Sequence, residues 1–368
     1  MSAKTGGKRV YFEVMRVIAC FLVVFGHSPG LMLYAQSEGI KQVIYMFIAM
    51  VTCTCVPLFF LVSGALLFKK DEDFMRVFKK RVSKIAALIL IFDIVLILTR
   101  YFIVLRKGEE FGYTIKDFVL WILSNEGPYF TAYWFLYAYL GMLLILPFLQ
   151  RIAKGLTKAE FIAIIALRFL TSTIIPIANL ILQVNGSDTV IKLSPDFDVP
   201  FAFARVFFYT MIGFYLEYNI DIEKIKGKHI AILSLSAVAG IIVAMACIYA
   251  RAPLIGEWQH NDSTVSDYYS TMVLFILIKY FYTVWSKKAD EKKRERFDNF
   301  ICFVSSKTLG IYMLAPIFYA VLAKPYFGYF DERLPLIISS IIWTVLCLAL
   351  GSAITFVLQK VPGLKKIL

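Results

Sequence analysis

Long apolar segments alternate with short polar segments along the whole chain. Ten of the apolar segments have roughly the 20 residues that a helix needs to cross a lipid bilayer. Residues 117–124 are the candidate for an additional, short interfacial helix. The pattern predicts an all-α, polytopic integral membrane protein with about ten transmembrane helices. The predicted spans are 10–30, 43–68, 85–105, 129–149, 160–183, 201–219, 230–250, 268–286, 300–322 and 335–359.

Lysine and arginine are distributed unevenly over the segments that join these spans. Of the 39 such residues, 25 lie on one side, in the N-terminal segment, 69–84, 150–159, 220–229, 287–299 and the C-terminal segment. Only 9 lie in 31–42, 100–117, 184–200, 251–267 and 323–334. Because cytoplasmic loops collect Lys and Arg, this alternation predicts that both termini are cytoplasmic. All loops are short, so we expect a single transmembrane domain over residues 1–368 and no extramembrane domain.

The composition indicates that most of the chain lies in a lipid bilayer. Hydrophobic residues make up 60% of the chain, whereas soluble domains are about half apolar. The net charge of +13 would suggest a nucleic-acid partner for a soluble protein, but here the cytoplasmic loops account for it. All six cysteines lie in apolar segments, so a disulfide framework is not expected. His27 is the only histidine inside a predicted span, so we expect no metal site.

The first apolar segment carries two polar side chains that set it apart. It follows basic residues, as in a signal peptide, but Arg16 and His27 interrupt it and no small-residue cleavage site follows, which favours a retained helix. Arg16 and His27 are eleven residues apart, close to three helical turns, so both leave one face about 16 Å apart. One face therefore offers an anion-binding group and a base suited to neutral pH. The alternative is a packing histidine bonded to a backbone carbonyl.

Other ionisable residues inside the predicted spans are functional candidates, because charge in a bilayer is costly. Glu13, Glu217 and Lys307 lie near span ends and could instead extend to the interface. Those that lie deeper could simply pair with one another. The deeper residues are Asp93, Arg168 and Lys279. Segment 69–84 adds seven cations against three acids, which would suit anionic lipid head groups or a phosphate-bearing ligand.

Five sequence elements, in order over residues 8–359, resemble the acyltransferase 3 family of integral membrane acyltransferases. Its members include O-acetyltransferases of bacterial surface polysaccharides. Three departures concern the substrate rather than the fold: Glu13 replaces the commoner Asp, Lys84 stands where Arg is usual, and Ala315-Pro316 replaces His-Pro. The five elements are Glu13-x-x-Arg16-x10-His27-Ser28, the segment from Pro57 to Phe68 with Ser63-Gly64, Lys79-Lys80-Arg81-x-x-Lys84, Trp134-Phe135-Leu136-Tyr137, and Ser305-x-x-Thr308-Leu-Gly310-Ile-Tyr312.

The resemblance implies an enzyme of the bacterial cytoplasmic membrane that moves an acyl group, expected to be acetyl, from cytoplasmic acyl-CoA to a hydroxyl. The acceptor would be a sugar, a glycolipid or a cell-envelope polymer. His27 would be the general base and Glu13 a partner of Arg16. The implied donor-binding residues are Arg16, Lys80, Arg81, Lys84 and Arg168.

The sequence does not decide several catalytic roles, nor does it decide between alternative functions. The oxyanion of the tetrahedral intermediate could be stabilised by Ser63, Tyr133, Tyr137 or Arg168, and a covalent acyl-enzyme on Ser or Tyr is equally compatible. A small-solute transporter, in which Arg16 and His27 bind or relay, is the main alternative function. A non-catalytic partner of an envelope-synthesis complex is another.

Overall fold

The computed structural model describes residues 9–126, 133–194, 204–258, 265–330 and 332–367. These residues form helices joined by turns, with no strand among them, which confirms the all-α prediction. The α-helices are α1 Val10–Gly26, α2 Gly39–Thr52, α3 Cys55–Leu67, α4 Phe74–Val77, α5 Ser83–Arg106, α6 Ile115–Ser124, α7 Trp134–Leu144, α8 Leu146–Gly155, α9 Lys158–Phe169, α10 Ile175–Val184, α11 Arg205–Tyr218, α12 Gly227–Ile255, α13 Asp267–Lys288, α14 Glu291–Ser305, α15 Thr308–Phe330 and α16 Leu336–Leu358.

Five shorter helices accompany these elements in the described part of the chain. Three are 3-10 helices, Pro29–Gln36, Ile222–Lys224 and Leu364–Lys366. Two are π-helices, Phe78–Val82 and Leu170–Ile174, each continuous with the α-helix that follows it.

Judged by helix length and composition, the structure has fewer candidate membrane crossings than the sequence predicted. Among the described residues six helices are long and apolar enough to cross, and two bent pairs raise the number to eight. The count of about ten is therefore not confirmed. Two predicted spans account for the difference, since α11 has only 14 residues and α13 contains Asp267, Lys279 and a basic last turn.

The first predicted span is bent near its outer end. Helix α1 ends at Gly26, and the 3-10 helix from Pro29 continues at an angle of 57°. Proline lacks a backbone N–H and disfavours helical geometry in the residue before it. Ser28 accordingly adopts an extended conformation with φ −87° and ψ 160°. The predicted span over 10–30 is therefore formed by a bent pair of helices, because Pro29 turns the chain.

The chain folds as two compact units that alternate along the sequence. The first contains residues 1–69 and 152–305, and the second contains 70–151 and 306–368. The prediction of a single domain over the whole chain stays a prediction.

Within the first unit, α3 and α11 approach each other most closely, at a pair of glycines. A Cβ atom on Gly64 would overlap the carbonyl group of Thr210, and one on Gly213 would overlap that of Leu61. Small residues let two helix backbones meet in this way in membrane proteins. Helix α1 packs against α3, α13 and α14 in the same unit, so it is surrounded on several sides by protein.

The buried charges of the first unit are paired near the start of α1. The ammonium group of Lys279 lies 2.9 Å from the Glu217 carboxylate, and Arg9 lies 2.6 Å from the other oxygen of that carboxylate. The hydroxyl of Tyr11 donates to the same carboxylate. In the second unit, buried Asp93 accepts a hydrogen bond from Tyr137 at 2.9 Å. Lys279 and Asp93 thus have partners other than those that the sequence alternative proposed.

Candidate functional site

Glu13 and Arg16, one turn apart on α1, form an ion pair. A guanidinium nitrogen of Arg16 lies 3.1 Å from Oε2 of Glu13. The same oxygen accepts a hydrogen bond from the hydroxyl of Ser305, at the end of α14. Glu13 is buried, whereas the Arg16 side chain keeps 36% of its surface accessible. The carboxylate is thus held from two sides, and the arginine keeps an accessible part with which to bind an anion.

His27 stands directly after the last residue of α1. Its amide donates to the carbonyl of Val23 at 3.2 Å, so the backbone follows the helical path up to this residue. The side chain is exposed, and its imidazole makes no hydrogen bond to any other residue that the structure describes. Ser28 next to it is buried and donates to the carbonyl of Phe25 at 2.7 Å. A neutral imidazole at this position would be accessible to a hydroxyl group of a substrate.

Ser63 lies in the middle of α3, beside the close contact at Gly64. Its hydroxyl donates to the carbonyl of Phe59, one turn earlier, at 2.8 Å. This bond is common for serine inside apolar helices. A role for Ser63 as a donor or nucleophile would require that bond to open, so its catalytic role stays a prediction.

The basic segment forms a pocket in the second unit. The pocket has a volume of about 600 Å³, and four cations and two acids line it: Lys70, Arg76, Lys80, Arg81, Asp71 and Glu72. Two of the predicted phosphate-binding residues, Lys80 and Arg81, are among them. Lys70 and Arg76 were not singled out by the sequence, although they belong to the same run of charge.

Lys84, also predicted to bind the donor, does not line this pocket. In a regular α-helix Lys80 and Lys84 would share a face. The turn between them is a π-helix, Phe78–Val82, rather than a regular α-helix, so this spacing does not apply directly. Lys84 is half-buried on the first turn of α5, and its role in donor binding stays a prediction.

One of the pocket's cations is already paired with an acidic side chain. Nη2 of Arg81 lies 3.0 Å from Oε1 of Glu72, and the Glu72 amide donates to the side chain of Gln150. Partial burial acts to raise the pKa of the Glu72 carboxyl, but the hydrogen bond from Arg81 and the charges of Arg81 and Lys70 outweigh it and hold the pKa below its ordinary value. Glu72 is therefore ionised at neutral pH and partly neutralises Arg81.

Arg168 lies in a buried polar cluster of the first unit. Its guanidinium group is 5.5 Å from the centre of the Phe208 ring, and its charge, like that of Arg205, acts on the buried carboxylate of Asp267. Tyr209, also buried, is a further neighbour of this carboxylate. Sequence reasoning missed Asp267, because the predicted span began one residue later and left it in a loop.

The remaining candidates for stabilising an oxyanion already donate their hydroxyl protons. Tyr133 donates to the carbonyl of Met313 at 2.8 Å. Tyr137 is 2.9 Å from Asp93 and 2.6 Å from the carbonyl of Ile122. All three contacts lie in the second unit and hold its helices together, so neither hydroxyl is poised for an additional acceptor.

No three histidine, cysteine, aspartate or glutamate side chains of the described residues come together as a metal site would require. All six cysteines are free thiols, and none is fully exposed.

A family model described as an acyltransferase domain matches residues 9–359 of the chain. The chain belongs to the acyltransferase 3 family. The match covers the ion pair on α1, His27 and the basic pocket, and extends over segments of both compact units. Neither the curated proteins nor the solved structures include a match. The family and the apolar helices together identify a multi-pass membrane acyltransferase.

Proposed function

We propose that this acyltransferase moves an acetyl group from cytoplasmic acetyl-CoA to a hydroxyl of a sugar, a glycolipid or a cell-envelope polymer at the bacterial cytoplasmic membrane. The observation that carries the proposal is the arrangement on α1 within a chain of this family. Arg16 is fixed by Glu13, and His27 is accessible at the end of the same helix. An anion-binding group and a general base on one element are what transfer from an anionic donor requires.

The basic pocket supports the donor side of the proposal. Coenzyme A carries a 3′-phosphate and a diphosphate, and guanidinium groups bind such oxygens through paired, charge-assisted hydrogen bonds. We assign the phosphates to Lys80 and Arg81, with Lys70 and Arg76 as the further cations of the pocket. The family resemblance implies that Arg16 also contributes to donor binding.

His27 supplies the proton transfer in this proposal. The neutral imidazole removes the proton of the acceptor hydroxyl while the hydroxyl oxygen attacks the thioester carbonyl carbon. The tetrahedral oxyanion then collapses, the carbon–sulfur bond breaks, and the leaving CoA thiolate takes the proton from the imidazolium. One ester forms, one thioester is lost, and His27 returns to its neutral form.

Arg168 is the oxyanion candidate that the packing favours. The hydroxyl groups of Ser63, Tyr133 and Tyr137 donate to other oxygens. Arg168 also has a neighbour, the Asp267 carboxylate, but unlike a hydroxyl it carries a permanent positive charge, and this charge lies in a buried environment where electrostatic interactions are strong. The direct transfer from thioester to hydroxyl is preferred over an acyl-enzyme, because no described serine or tyrosine candidate is poised as a nucleophile.

Turnover of acetyl-CoA by the purified protein, offered a panel of sugars and lipid-linked sugars, tests the proposal. His27→Ala should lower turnover by about two to four orders of magnitude, the usual contribution of a general base, while the protein still binds CoA. The matched control is His229→Ala, which removes a histidine near the start of α12.

Donor binding is tested separately by thermal protection. Arg81→Ala should raise the CoA concentration that half-protects the protein by about tenfold or more, as expected for the loss of a charge-assisted hydrogen bond. Arg151→Ala, which removes an exposed arginine outside the pocket, should not. If CoA gives no protection to the wild-type protein, the proposed function is wrong.

A further inference from the structure

A second pocket lies in the first unit, where α12 ends. Gly256 adopts the left-handed conformation with φ 73° and ends the helix, and the chain then brings Glu257 and Trp258 back beside Tyr249. The ring centres of Tyr249 and Trp258 are 5.9 Å apart. With Glu38 and Gln42 from the start of α2, these side chains line a pocket of about 540 Å³.

One wall of this pocket is aromatic and held in place. The indole of Trp258 packs edge-on against Tyr34, at 6.2 Å between ring centres and 85° between planes. Tyr34 itself is fully buried, so it anchors the indole from behind, whereas Tyr249 keeps 63% of its surface accessible. An exposed aromatic surface fixed by a buried neighbour is suited to stacking on a flat apolar face of a ligand.

The opposite wall is polar and acidic. Glu38 precedes α2 and makes no capping hydrogen bond, and Glu257 follows Gly256. The amide nitrogen of Gln42 donates to the carbonyl of Tyr34 at 3.1 Å, and its side-chain oxygen is an acceptor. These groups are hydrogen-bond acceptors, so they select a ligand rich in hydroxyl donors. The Glu38 carboxylate would repel the phosphates of CoA.

The chain leads from His27 to this pocket. The 3-10 helix Pro29–Gln36 begins two residues after His27 and is followed by Glu38. The positions 31–42 and 251–267 were both predicted, from the distribution of charge, to lie on the side of the membrane opposite the basic segments. The structure brings these two loops together in one pocket.

We propose that this pocket binds a pyranose unit of the acceptor. The role of this binding in acyl transfer rests on the proposed function. A pyranose has an apolar C–H face that stacks on Tyr249 and Trp258. Its hydroxyl groups donate to Glu38 and Gln42, and the bond to the Glu38 carboxylate is charge-assisted. The pocket thereby holds a neutral saccharide while a neighbouring sugar hydroxyl is presented for acylation.

Binding is tested without any donor. Fluorescently labelled full-length protein in detergent is applied to an array of immobilised pyranose oligosaccharides. We expect retention on at least one class of glycan, reduced about tenfold or more by Trp258→Ala, Tyr249→Ala and Glu38→Gln. Phe102→Ala is the control, because Phe102 on α5 is 64% exposed, as Tyr249 is 63%, but lies outside the pocket.

Three outcomes overturn the proposal. The first is no retention of the wild-type protein on any glycan. The second is retention of the three pocket variants equal to that of the wild-type protein. The third is binding of choline, instead of any glycan, that depends on Trp258. Choline serves as the probe for a cation, which an aromatic and acidic pocket could also attract. Glu38→Gln and Tyr249→Ala change accessible side chains, so these two variants should remain folded. They therefore test the proposal even if Trp258→Ala does not fold.

Turnover then separates this proposal from the proposed function. For a glycan that is retained, the pocket variants should raise the acceptor KM about tenfold and leave the KM for acetyl-CoA unchanged. Should the wild-type protein bind a glycan through these residues but transfer no acetyl group, the proposed function fails and the saccharide site stands. An unchanged acceptor KM during active transfer would show that acylation does not use this pocket.

Discussion

Among single residues, Glu13 has the clearest structural reason for its position. A buried carboxylate is costly unless charge and hydrogen bonds compensate it. Glu13 obtains both, from Arg16 on its own helix and from Ser305 on α14. The carboxylate thus fixes the rotamer of Arg16 and links the helix that carries His27 to a neighbouring helix of the same unit.

Ser305→Ala should weaken this arrangement without removing a charge. Loss of a hydrogen bond to a charged group costs about 1.5 to 3 kcal/mol, so we expect a lower midpoint of thermal unfolding. Under the proposed function, the KM for acetyl-CoA should rise because Arg16 is less well oriented. Ser306→Ala is the control, since Ser306 is the exposed neighbour. Unchanged stability and unchanged KM in Ser305→Ala would show that Glu13 does not depend on this serine.

Glu72→Gln tests the acid that neutralises Arg81 in the basic pocket. The pKa of the Glu72 carboxyl is lower in the folded protein than its ordinary value of 4.5. Its contribution to stability is therefore fully present above that value and is lost as pH falls through the lower, folded pKa. The difference in unfolding midpoint between the wild-type and Glu72→Gln proteins should accordingly be constant from pH 5 to 8 and shrink in more acidic buffer.

The same substitution should affect the donor in the opposite direction. At neutral pH, Glu72→Gln leaves Arg81 with its full charge for phosphate, so the KM for acetyl-CoA should fall several-fold. Asp73→Asn is the control, because Asp73 caps α4 through backbone amides and does not line the pocket. A KM that rises in Glu72→Gln would mean that the carboxylate positions Arg81 for the donor rather than competing with it.

At the scale of helices, the contact between α3 and α11 depends on two glycines. Gly64 and Gly213 each face a backbone carbonyl of the other helix, with no room for a methyl group. In lipid, where the hydrophobic effect does not drive helices together, such close packing supplies much of the association energy. Gly64 stands next to Ser63 in an element of the family resemblance, so this element has a packing role in the fold.

Gly64→Ala and Gly213→Ala should each force α3 and α11 apart. Overpacking costs about 1 to 3 kcal/mol, and more where backbone rather than side chain must move. We expect a clear drop in the thermal midpoint in detergent, with loss of activity that follows loss of folded protein. Gly141→Ala on α7 is the matched control. A Cβ there meets nothing within 4 Å, and alanine has the higher helix propensity. Equal midpoints for all three variants would contradict the packing role.

The sequence predicted elements better than it predicted their ends. The length of the apolar segments predicted the positions of most spans. A helix in lipid must satisfy its own backbone hydrogen bonds, so it crosses the bilayer as one continuous apolar segment. Pro29 was visible but was not used to end the first span. The π-helix at Phe78–Val82 has no comparable signal in the sequence.

The site was predictable only where one helix carries it. Glu13, Arg16 and His27 have a spacing that the sequence displays directly. Ser305 and Asp267 could not be assigned from spacing, since their neighbours come from helices distant in sequence and only packing brings them together. The same holds for the pocket at Trp258, which combines two loops more than 200 residues apart.

At the scale of the whole molecule, contacts agree with the predicted distribution of loops between the two sides. Within the first unit, Lys287 pairs with Glu223 at 2.7 Å, and Lys69 lies over the ring of Tyr218. In the second unit, Glu72 is bonded to Gln150. Each contact joins residues of predicted cytoplasmic segments or, for Tyr218, of the adjoining end of a predicted span, whereas Glu38 and Trp258 join two loops predicted on the other side.

Labelling of single introduced cysteines in intact cells tests this topology, including the two crossings at α11 and α13 that length and composition do not support. Glu109→Cys and Asp188→Cys should react with a membrane-impermeant maleimide from outside, because both exposed positions lie in loops predicted to be external. Lys228→Cys and Lys292→Cys should react only after permeabilisation. The parent protein, whose six native thiols are buried or half-buried, provides the background. If α11 does not cross, Lys228→Cys would label from outside while Asp188→Cys also does. If α11 crosses and α13 does not, Lys292→Cys would label from outside while Lys228→Cys does not, and in either case the alternating topology would be wrong.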